Sequence, residues 1–269
     1  MKDLSIIIVH HQTPELLKLC LDSLTKTTSE IDREIIVIDS TISHKARDII
    51  KSNFSGVVYL PFKGNLGYSR GVNEGVKHSK GQYILVVNPD VIVTEGSIGK
   101  MLQYIQEHED IGMLGPQILN FNGTHQRTFF SYYKPSTVLA RRTFLGRLKR
   151  FKKEINNFLM TDADYTQIQT PDWIMGSAMM ISRRALEKVG GMDERFFMYF
   201  EDVDWARRFW HNDYKVVYYP EAVFYHYHQR ESKSKLGILD AIFNRKTRWH
   251  IQSAFKFFWK YHDLRKVKI

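Results

Sequence analysis

Residues 83–90 read Tyr83-Ile84-Leu85-Val86-Val87-Asn88-Pro89-Asp90. A short, unbroken apolar run closed by a turn signal is the pattern of a strand covered on both faces. Asn-Pro-Asp stops the strand and leaves a carboxylate at its carboxyl end. The same pattern recurs upstream in Ser5-Ile6-Ile7-Ile8-Val9, Glu34-Ile35-Ile36-Val37-Ile38-Asp39 and Val57-Val58-Tyr59-Leu60. Helical segments separate these runs. Thr13-Pro14-Glu15 supplies an N-cap, a first-turn proline and an early acid for a helix to about Thr27, and two more helices are predicted over 43–53 and 69–78. Strand and helix alternate over roughly the first 110 residues, which predicts a mostly parallel sheet flanked by helices. Such sheets bind ligands at the carboxyl ends of their strands, where His10, Asp39 and Asp90 fall.

The chain has 269 residues, with 39 Lys and Arg against 29 Asp and Glu, for a formal net charge of +10. Its 43% hydrophobic content excludes a disordered tail, and its ordinary glycine and proline content excludes a collagen-like chain. The single cysteine, Cys20, falls on one helical face with Leu16, Leu17, Leu21 and Leu24, so it is expected to be a buried packing residue. One cysteine allows neither an internal disulfide nor a cysteine-based zinc site, which suits a reducing compartment. The first residues lack the apolar core of a signal peptide, and no apolar run approaches the ~20 residues of a membrane span. The expected location is the cytoplasm, with or without contact to the inner face of the cytoplasmic membrane.

Alternation lapses after Ile118, and residues 120–170 are polar, aromatic and basic, including Lys149-Arg150-Phe151-Lys152-Lys153. This stretch reads as a partly helical insertion. The pattern returns at Trp173-Ile174-Met175-Gly176-Ser177-Ala178-Met179-Met180-Ile181. A helix over 184–189 stopped by Gly190, another over 203–210, and strands over 215–219 and 222–226 follow. The tail from Phe243 to Tyr261 is helical by pattern. The implied division is residues 1–118 and 119–242, with a basic amphipathic helix over 243–269.

Three further segments carry chemistry. Asn65-Leu66-Gly67-Tyr68-Ser69-Arg70-Gly71-Val72-Asn73 is a glycine-punctuated turn into a helix, which suits either a diphosphate or tight packing. Phe196-Phe197-Met198-Tyr199-Phe200-Glu201-Asp202-Val203-Asp204 sets acids against an apolar wall. Asp202 or Asp204 there either caps the following helix or, with its pKa raised, serves as a base. His226 and His228 share one strand face, and with Asp90 they form either structural hydrogen bonds or part of a metal site.

Taken in order, Ser5-Ile-Ile-Ile-Val, Asp39-Ser40, Asn65-Leu-Gly-Tyr with Asn73, Asn88-Pro-Asp90, Trp173-Ile-Met-Gly-Ser-Ala and Phe197-Met-Tyr-Phe-Glu-Asp-Val-Asp closely resemble inverting family 2 glycosyltransferases. Within these the chain is similar to the bacterial rhamnosyltransferase-type branch. The resemblance implies a glycosyltransferase A-type fold, a nucleotide-diphosphate sugar donor with dTDP-rhamnose as the leading case, and a saccharide or lipid-linked saccharide acceptor. It also implies Mg2+ or Mn2+ held by Asp90 near His226. By the same resemblance, Asp202 is the catalytic base, with Glu201 its neighbour. Val9, His11, Asp39, Asn65, Gly67, Arg70, Asn73 and Asn88 line the donor with Asp90, and Trp173, Gly176 and Phe200 lie on the acceptor side. The chain departs from the branch at His10-His11-Gln12 and at Ser40, which bear on base and sugar specificity, and at Tyr227-His228-Gln229-Arg230, where the branch's usual glycine pair is missing and a different closing loop is expected.

Basic residues at 149–153 and in the tail, where Lys256, Lys260, Arg265 and Lys266 accompany Phe257, Phe258 and Trp259, form an expected contact with anionic membrane. A nucleic-acid partner is not expected, because the basic residues are dispersed and no recognition motif appears. The alternative to an enzyme is a catalytically degenerate nucleotide-sugar-binding module.

Overall fold

The computed structural model describes residues 2–41, 44–227 and 244–262. His228, Arg230, Phe243, Arg265 and Lys266 lie outside them. The chain runs β1 (Leu4–His10), α1 (Pro14–Thr27), β2 (Arg33–Asp39), α2 (His44–Asn53), β3 (Val57–Pro61), α3 (Tyr68–His78), β4 (Tyr83–Val87), β5 (Val91–Val93), α4 (Ser97–Glu107) and β6 (Ile111–Leu119). It continues with β7 (Phe129–Phe130), α5 (Pro135–Arg142), a 3-10 turn (Phe144–Arg147), α6 (Lys149–Phe158), β8 (Trp173–Ile174), β9 (Ala178–Ser182), α7 (Arg183–Val189), α8 (Glu201–His211), β10 (Lys215–His226) and α9 (Arg245–Lys260).

One sheet has the order β3-β2-β1-β4-β9-β6-β10-β5, and β7 and β8 form a separate ribbon. β1, β2, β3 and β4 are mutually parallel, as are β6 and β10, whereas β9 runs antiparallel between β4 and β6. Helices cover both faces. Ile6 and Ile8 enter one core cluster with Leu17, Cys20 and Leu24 of α1, while Ile7 enters the other with Val72 of α3. Burial of alternate residues on opposite faces is why β1 reads as an unbroken apolar run.

Three local expectations are corrected. Thr13 sits at the N-cap of α1 but makes no side-chain cap bond. Its own N–H instead donates to Nε2 of His10 at 3.1 Å. Residues 173–181 are two strands, because Gly176 and Ser177 spend backbone groups on other segments, as described below. Residues 215–226 are one strand with a register shift between Tyr219 and Val223, spanning Pro220, which has no N–H to give the ladder.

α9 packs onto the segment before α8. Phe257 is buried and meets Phe200 at 5.4 Å between ring centroids, Ser253 Oγ donates to Met198 O at 2.9 Å, and Lys256 Nζ donates to Arg195 O at 2.6 Å. Lys260 turns inward to Asp193 and Asp204, and Tyr261 donates its hydroxyl to Asp204 Oδ1 at 2.8 Å. The face expected for a membrane is therefore only partly the one named in the sequence: Lys256 and Trp259 are exposed, whereas Phe257 is buried and Phe258 and Lys260 are half-buried. Phe257 and Lys260 belong to the protein interior, and the outer face carries Phe255 and Trp259, 77% and 79% exposed, beside Arg248 and Lys256.

Candidate active site

Sheet register brings the carboxyl ends of β1, β2 and β4 level. His10 pairs with Asp39, Ile8 with Val87, and Val87 with Ala178 at the start of β9. At the far edge, His226 at the end of β10 pairs with Val91 of β5. The site is built in the crevice beyond these ends.

Two adjacent residues tie its halves together. Ser177 O accepts from Asn88 N at 2.9 Å, fixing the Asn88-Pro89-Asp90 turn. Gly176 N donates to Asp202 Oδ2 at 3.0 Å, and Gly176 O accepts from the Tyr68 hydroxyl. A Cβ on Gly176 would lie 3.3 Å from a Tyr68 ring carbon and 3.5 Å from Asp202 Cβ, so the approach has little room.

On one side of this bridge, Glu201 and Asp202 open α8. Tyr199 and Phe200, immediately before them, both hold positive φ, 70° and 66°. Two consecutive non-glycine residues in this region store backbone strain, which persists only where surrounding contacts enforce it. Those contacts are the buried Phe200 ring against Tyr133, His250, Phe257 and Phe258. Asp202 Oδ1 accepts from Val203 N at 2.9 Å, so the carboxylate meets a first-turn N–H as well as Gly176. Burial pushes its pKa up to about 6 against the pull of these backbone bonds. Glu201 is pushed well above the usual carboxylate range, first by burial and then by the charge of Asp202. Asp204, the other capping candidate, is instead pinned by Arg208 Nε at 3.0 Å and by Tyr261 and Lys260.

On the other side, Asp90 Oδ1 lies 3.3 Å from Nε2 of His226. Nδ1 of His226 lies 2.9 Å from Oε1 of Gln126. Among the described residues Asp90 Oδ1 is buried and takes no hydrogen bond. A buried acceptor without a donor costs about 1–3 kcal/mol, and such groups mark places that a ligand or ion completes. Ser177 Oγ, Ser40 Oγ and Glu201 Oε2 are buried without hydrogen-bond partners in the same way, all near these strand ends.

The other expected residues divide into site and scaffold. His11 is largely exposed and 3.4 Å from the Asn65 amide, its pKa lowered first by partial desolvation, then by His10 and Lys246. Asn65 Oδ1 caps Gly67 N at 2.9 Å. Arg70 is exposed on α3, and Val9 packs beneath Gly71. Asp39 is fully enclosed: Oδ1 meets His10 Nδ1 at 3.1 Å and the Thr41 hydroxyl at 2.8 Å, and Oδ2 accepts from Tyr59. Asn73 is spent on the scaffold. Its amide donates to Met192 O at 2.9 Å and accepts from Met192 N at 2.8 Å. Trp173 is buried, stacked on Phe130 at 4.5 Å with its indole N–H on Ser131 O, and supports the site from below. Tyr68 and Gln126 are additional site residues. Tyr68 has its pKa raised by burial, then by Glu201, Asp202 and Asp90, which places its hydroxyl in the field of both halves.

Gly67 joins the donor-side turn to the acid segment. It holds φ 75°, and a Cβ there would lie 2.5 Å from Phe197 O, the carbonyl that also accepts from Tyr68 N at 2.9 Å. Gly67→Ala combines a left-handed backbone penalty with a backbone clash and lowers stability by about 2–4 kcal/mol. Denaturant unfolding checks this, and a loss below about 1 kcal/mol contradicts the geometry.

Among the described residues, no group of three or more His, Cys, Asp or Glu side chains converges as a metal cage. Asp90 and His226 form a pair. That donor set fits a hard divalent cation which takes its remaining ligands from substrate phosphates and water. No helix among the described residues is long and apolar enough to cross a membrane.

Comparison with known proteins identifies the family and the fold. The model "Glycosyl transferase family 2" matches residues 5–190, and "N-terminal domain of galactosyltransferase" matches residues 157–231. The chain is 28% identical over 210 residues to the low-salt glycan biosynthesis hexosyltransferase Agl10 of Haloferax volcanii, covering 77% of this chain and 61% of that protein. It is 26% identical over 236 residues to the N-acetylglucosaminyl-diphospho-decaprenol L-rhamnosyltransferase of Mycobacterium tuberculosis, covering 83% of this chain and 76% of that one. It is 25% identical over 259 residues to the rhamnosyltransferase WbbL of Escherichia coli, covering 94% and 91%. Among solved structures it is similar to GalNAc-T7 with UDP, GalNAc and Mn2+, at TM-score 0.65 and 17% identity over 86% of this chain and 44% of that one. The fold is the glycosyltransferase A type. The chain belongs to glycosyl transferase family 2, and within it resembles the rhamnosyltransferases.

Proposed function

We propose that this protein is a metal-dependent inverting glycosyltransferase that moves a sugar from a nucleotide-diphosphate donor to a hydroxyl of a saccharide or lipid-linked saccharide. The observation that carries the reading is the Gly176-Ser177 bridge, which sets the raised-pKa carboxylate of Asp202 and the unbonded carboxylate oxygen of Asp90 on one crevice. Inversion needs one base and one stabilised leaving group, with no covalent intermediate. Asp202, held by two N–H groups, takes the proton of the acceptor hydroxyl as its oxygen attacks the anomeric carbon. The bond to the diphosphate breaks on the opposite face.

Asp90 and His226 are the residues that would hold Mg2+ or Mn2+, which would supply charge neutralisation for the departing diphosphate. His11, Asn65 and Arg70 face the nucleotide, and Asp39, enclosed beside Tyr59 and His10, shapes its base pocket. Residues 1–118 are read as the donor half and 119–242 as the acceptor and catalytic half. dTDP-rhamnose is the leading donor, supported by the two rhamnosyltransferase relatives. One relative's name specifies an N-acetylglucosaminyl-diphospho-decaprenol acceptor. The test is transfer from nucleotide sugars of defined anomeric configuration, with the product examined by NMR. Inverted linkage made only with Mg2+ or Mn2+ supports the reading, and retained configuration contradicts it.

A lipid-linked acceptor calls for membrane contact. The outer face of α9 presents Phe255 and Trp259 among Arg245, Arg248 and Lys256, and Phe144 and Leu148 are exposed beside Arg147 and Lys149. Cations with bare aromatics suit an anionic surface. Phe255→Ser with Trp259→Ser is expected to weaken sedimentation with anionic liposomes by about tenfold or more. Unchanged partitioning at low salt removes α9 as the contact.

A further inference from the structure

The imidazole of His226 is oriented by a chain of amides from the loop between β6 and β7, a segment whose sequence reads only as the start of an insertion. Asn120 Nδ2 donates to Thr124 O at 3.2 Å and to Thr124 Oγ1 at 2.9 Å. The carbonyl of Thr124 can only accept, so the Asn120 amide has one orientation and its Oδ1 faces Gln126. Gln126 Nε2 donates to that Oδ1 at 2.8 Å and to the backbone carbonyl of His226 at 2.8 Å. Both partners can only accept, so both N–H groups of Gln126 are spent and its Oε1 is an acceptor facing Nδ1 of His226 at 2.9 Å. The proton therefore sits on Nδ1. In the neutral ring the lone pair is then on Nε2, the atom 3.3 Å from Asp90 Oδ1. Gln126 is buried, so water does not compete for these bonds.

We propose that Gln126 is a positioning residue: it holds His226 as the Nδ1–H tautomer and aims the Nε2 lone pair at the cation site shared with Asp90. This rests on the reading of Asp90 and His226 as the metal pair. An outer partner that fixes a ligand's tautomer and ring angle is commonly worth 10–100-fold in metal affinity. The device is set before any metal arrives, because each orientation in the chain is forced by backbone carbonyls.

Two measurements test it on the full chain. Long-range 15N–1H NMR of the metal-free protein is expected to show His226 as the Nδ1–H tautomer, relaxing toward a mixture in Gln126→Leu. Mn2+ titration followed by EPR of the free ion is expected to show Gln126→Leu weakening Mn2+ by about tenfold or more, with no further loss when Gln126→Leu is added to His226→Ala. A purely structural role would instead give the same loss in both backgrounds. A wild-type His226 protonated on Nε2, or that equal loss, overturns the proposal. Unchanged Mn2+ affinity in His226→Ala overturns the metal reading beneath it.

Discussion

Asp202→Asn is expected to lower turnover by about 10²–10⁴-fold while donor affinity stays within about threefold, because the variant keeps the shape of the site and loses its ionised base. The carboxylate is held by Gly176 N at 3.0 Å and Val203 N at 2.9 Å, and an asparagine can accept from only one of these N–H groups while its amide opposes the other. Burial raises its pKa to about 6. The base is active when ionised, so kcat/KM rises with pH through about 6 and levels off above it. Glu201→Gln separates the neighbours. Burial, then the charge of Asp202, favours the neutral form of Glu201, so glutamine approximates it and is expected to retain most of the activity. If Glu201→Gln abolishes turnover and Asp202→Asn leaves it intact, the assignment is reversed.

The same shift has a consequence for stability. A carboxyl whose folded pKa is raised binds its proton more tightly in the native state. Its contribution is fully present below the ordinary value of 3.8 and is lost as pH rises through about 6. The pair therefore opposes folding at neutral pH, and the fall in wild-type stability across that window is expected to shrink in Asp202→Asn.

Asp90→Asn is the second large effect. It is expected to remove metal-dependent transfer, with a loss of about 10³-fold or more in turnover, since leaving-group charge then goes unneutralised. The metal-free protein is expected to keep its stability or gain about 1 kcal/mol. The wild-type Oδ1 is buried without a hydrogen bond 3.3 Å from the His226 ring, and an asparagine amide there donates to the ring nitrogen. Loss of function with preserved or improved folding is the signature of a strained functional carboxylate. A substantially destabilised Asp90→Asn protein would identify Asp90 as a structural group instead.

The left half of the sheet is legible because β1, β2, β3 and β4 carry short apolar runs, and those of β1, β2 and β4 are closed at the ligand edge by His10, Asp39 and Asn88. That β9 runs antiparallel between β4 and β6 is not legible, since burial on both faces looks the same in either direction. The break at Met175-Gly176-Ser177 is hidden for a different reason. It is enforced by Asp202 and Asn88, which reach it from elsewhere in the chain. The acids of the site stand out because they interrupt apolar segments. Gln126 and Tyr68 do not, because their roles come from bonds to His226 and Gly176, about a hundred residues away. Asn73 shows the converse, a motif residue whose amide the fold uses for the Met192 backbone. The tail's pattern likewise announces an amphipathic helix without saying which face is inward. Phe257 and Lys260 are drawn in by Phe200 and Asp204, leaving Phe255 and Trp259 outside.

A cation held by Asp90 and His226 against the diphosphate of a nucleotide sugar couples nucleotide binding to Mn2+ through Asp90. The most direct measurement is the melting temperature of wild type and Asp90→Asn with dTDP, UDP, GDP and ADP, each with and without Mn2+. A ligand at 100 times its Kd stabilises by about 2.7 kcal/mol, on the order of 5–10 °C for a chain of this size. The expected result is a rise with one nucleotide in wild type that Mn2+ enlarges, and loss of the Mn2+ increment in Asp90→Asn. No rise with any nucleotide, or the same Mn2+ increment in both proteins, would mean that Asp90 and His226 do not form the cation site.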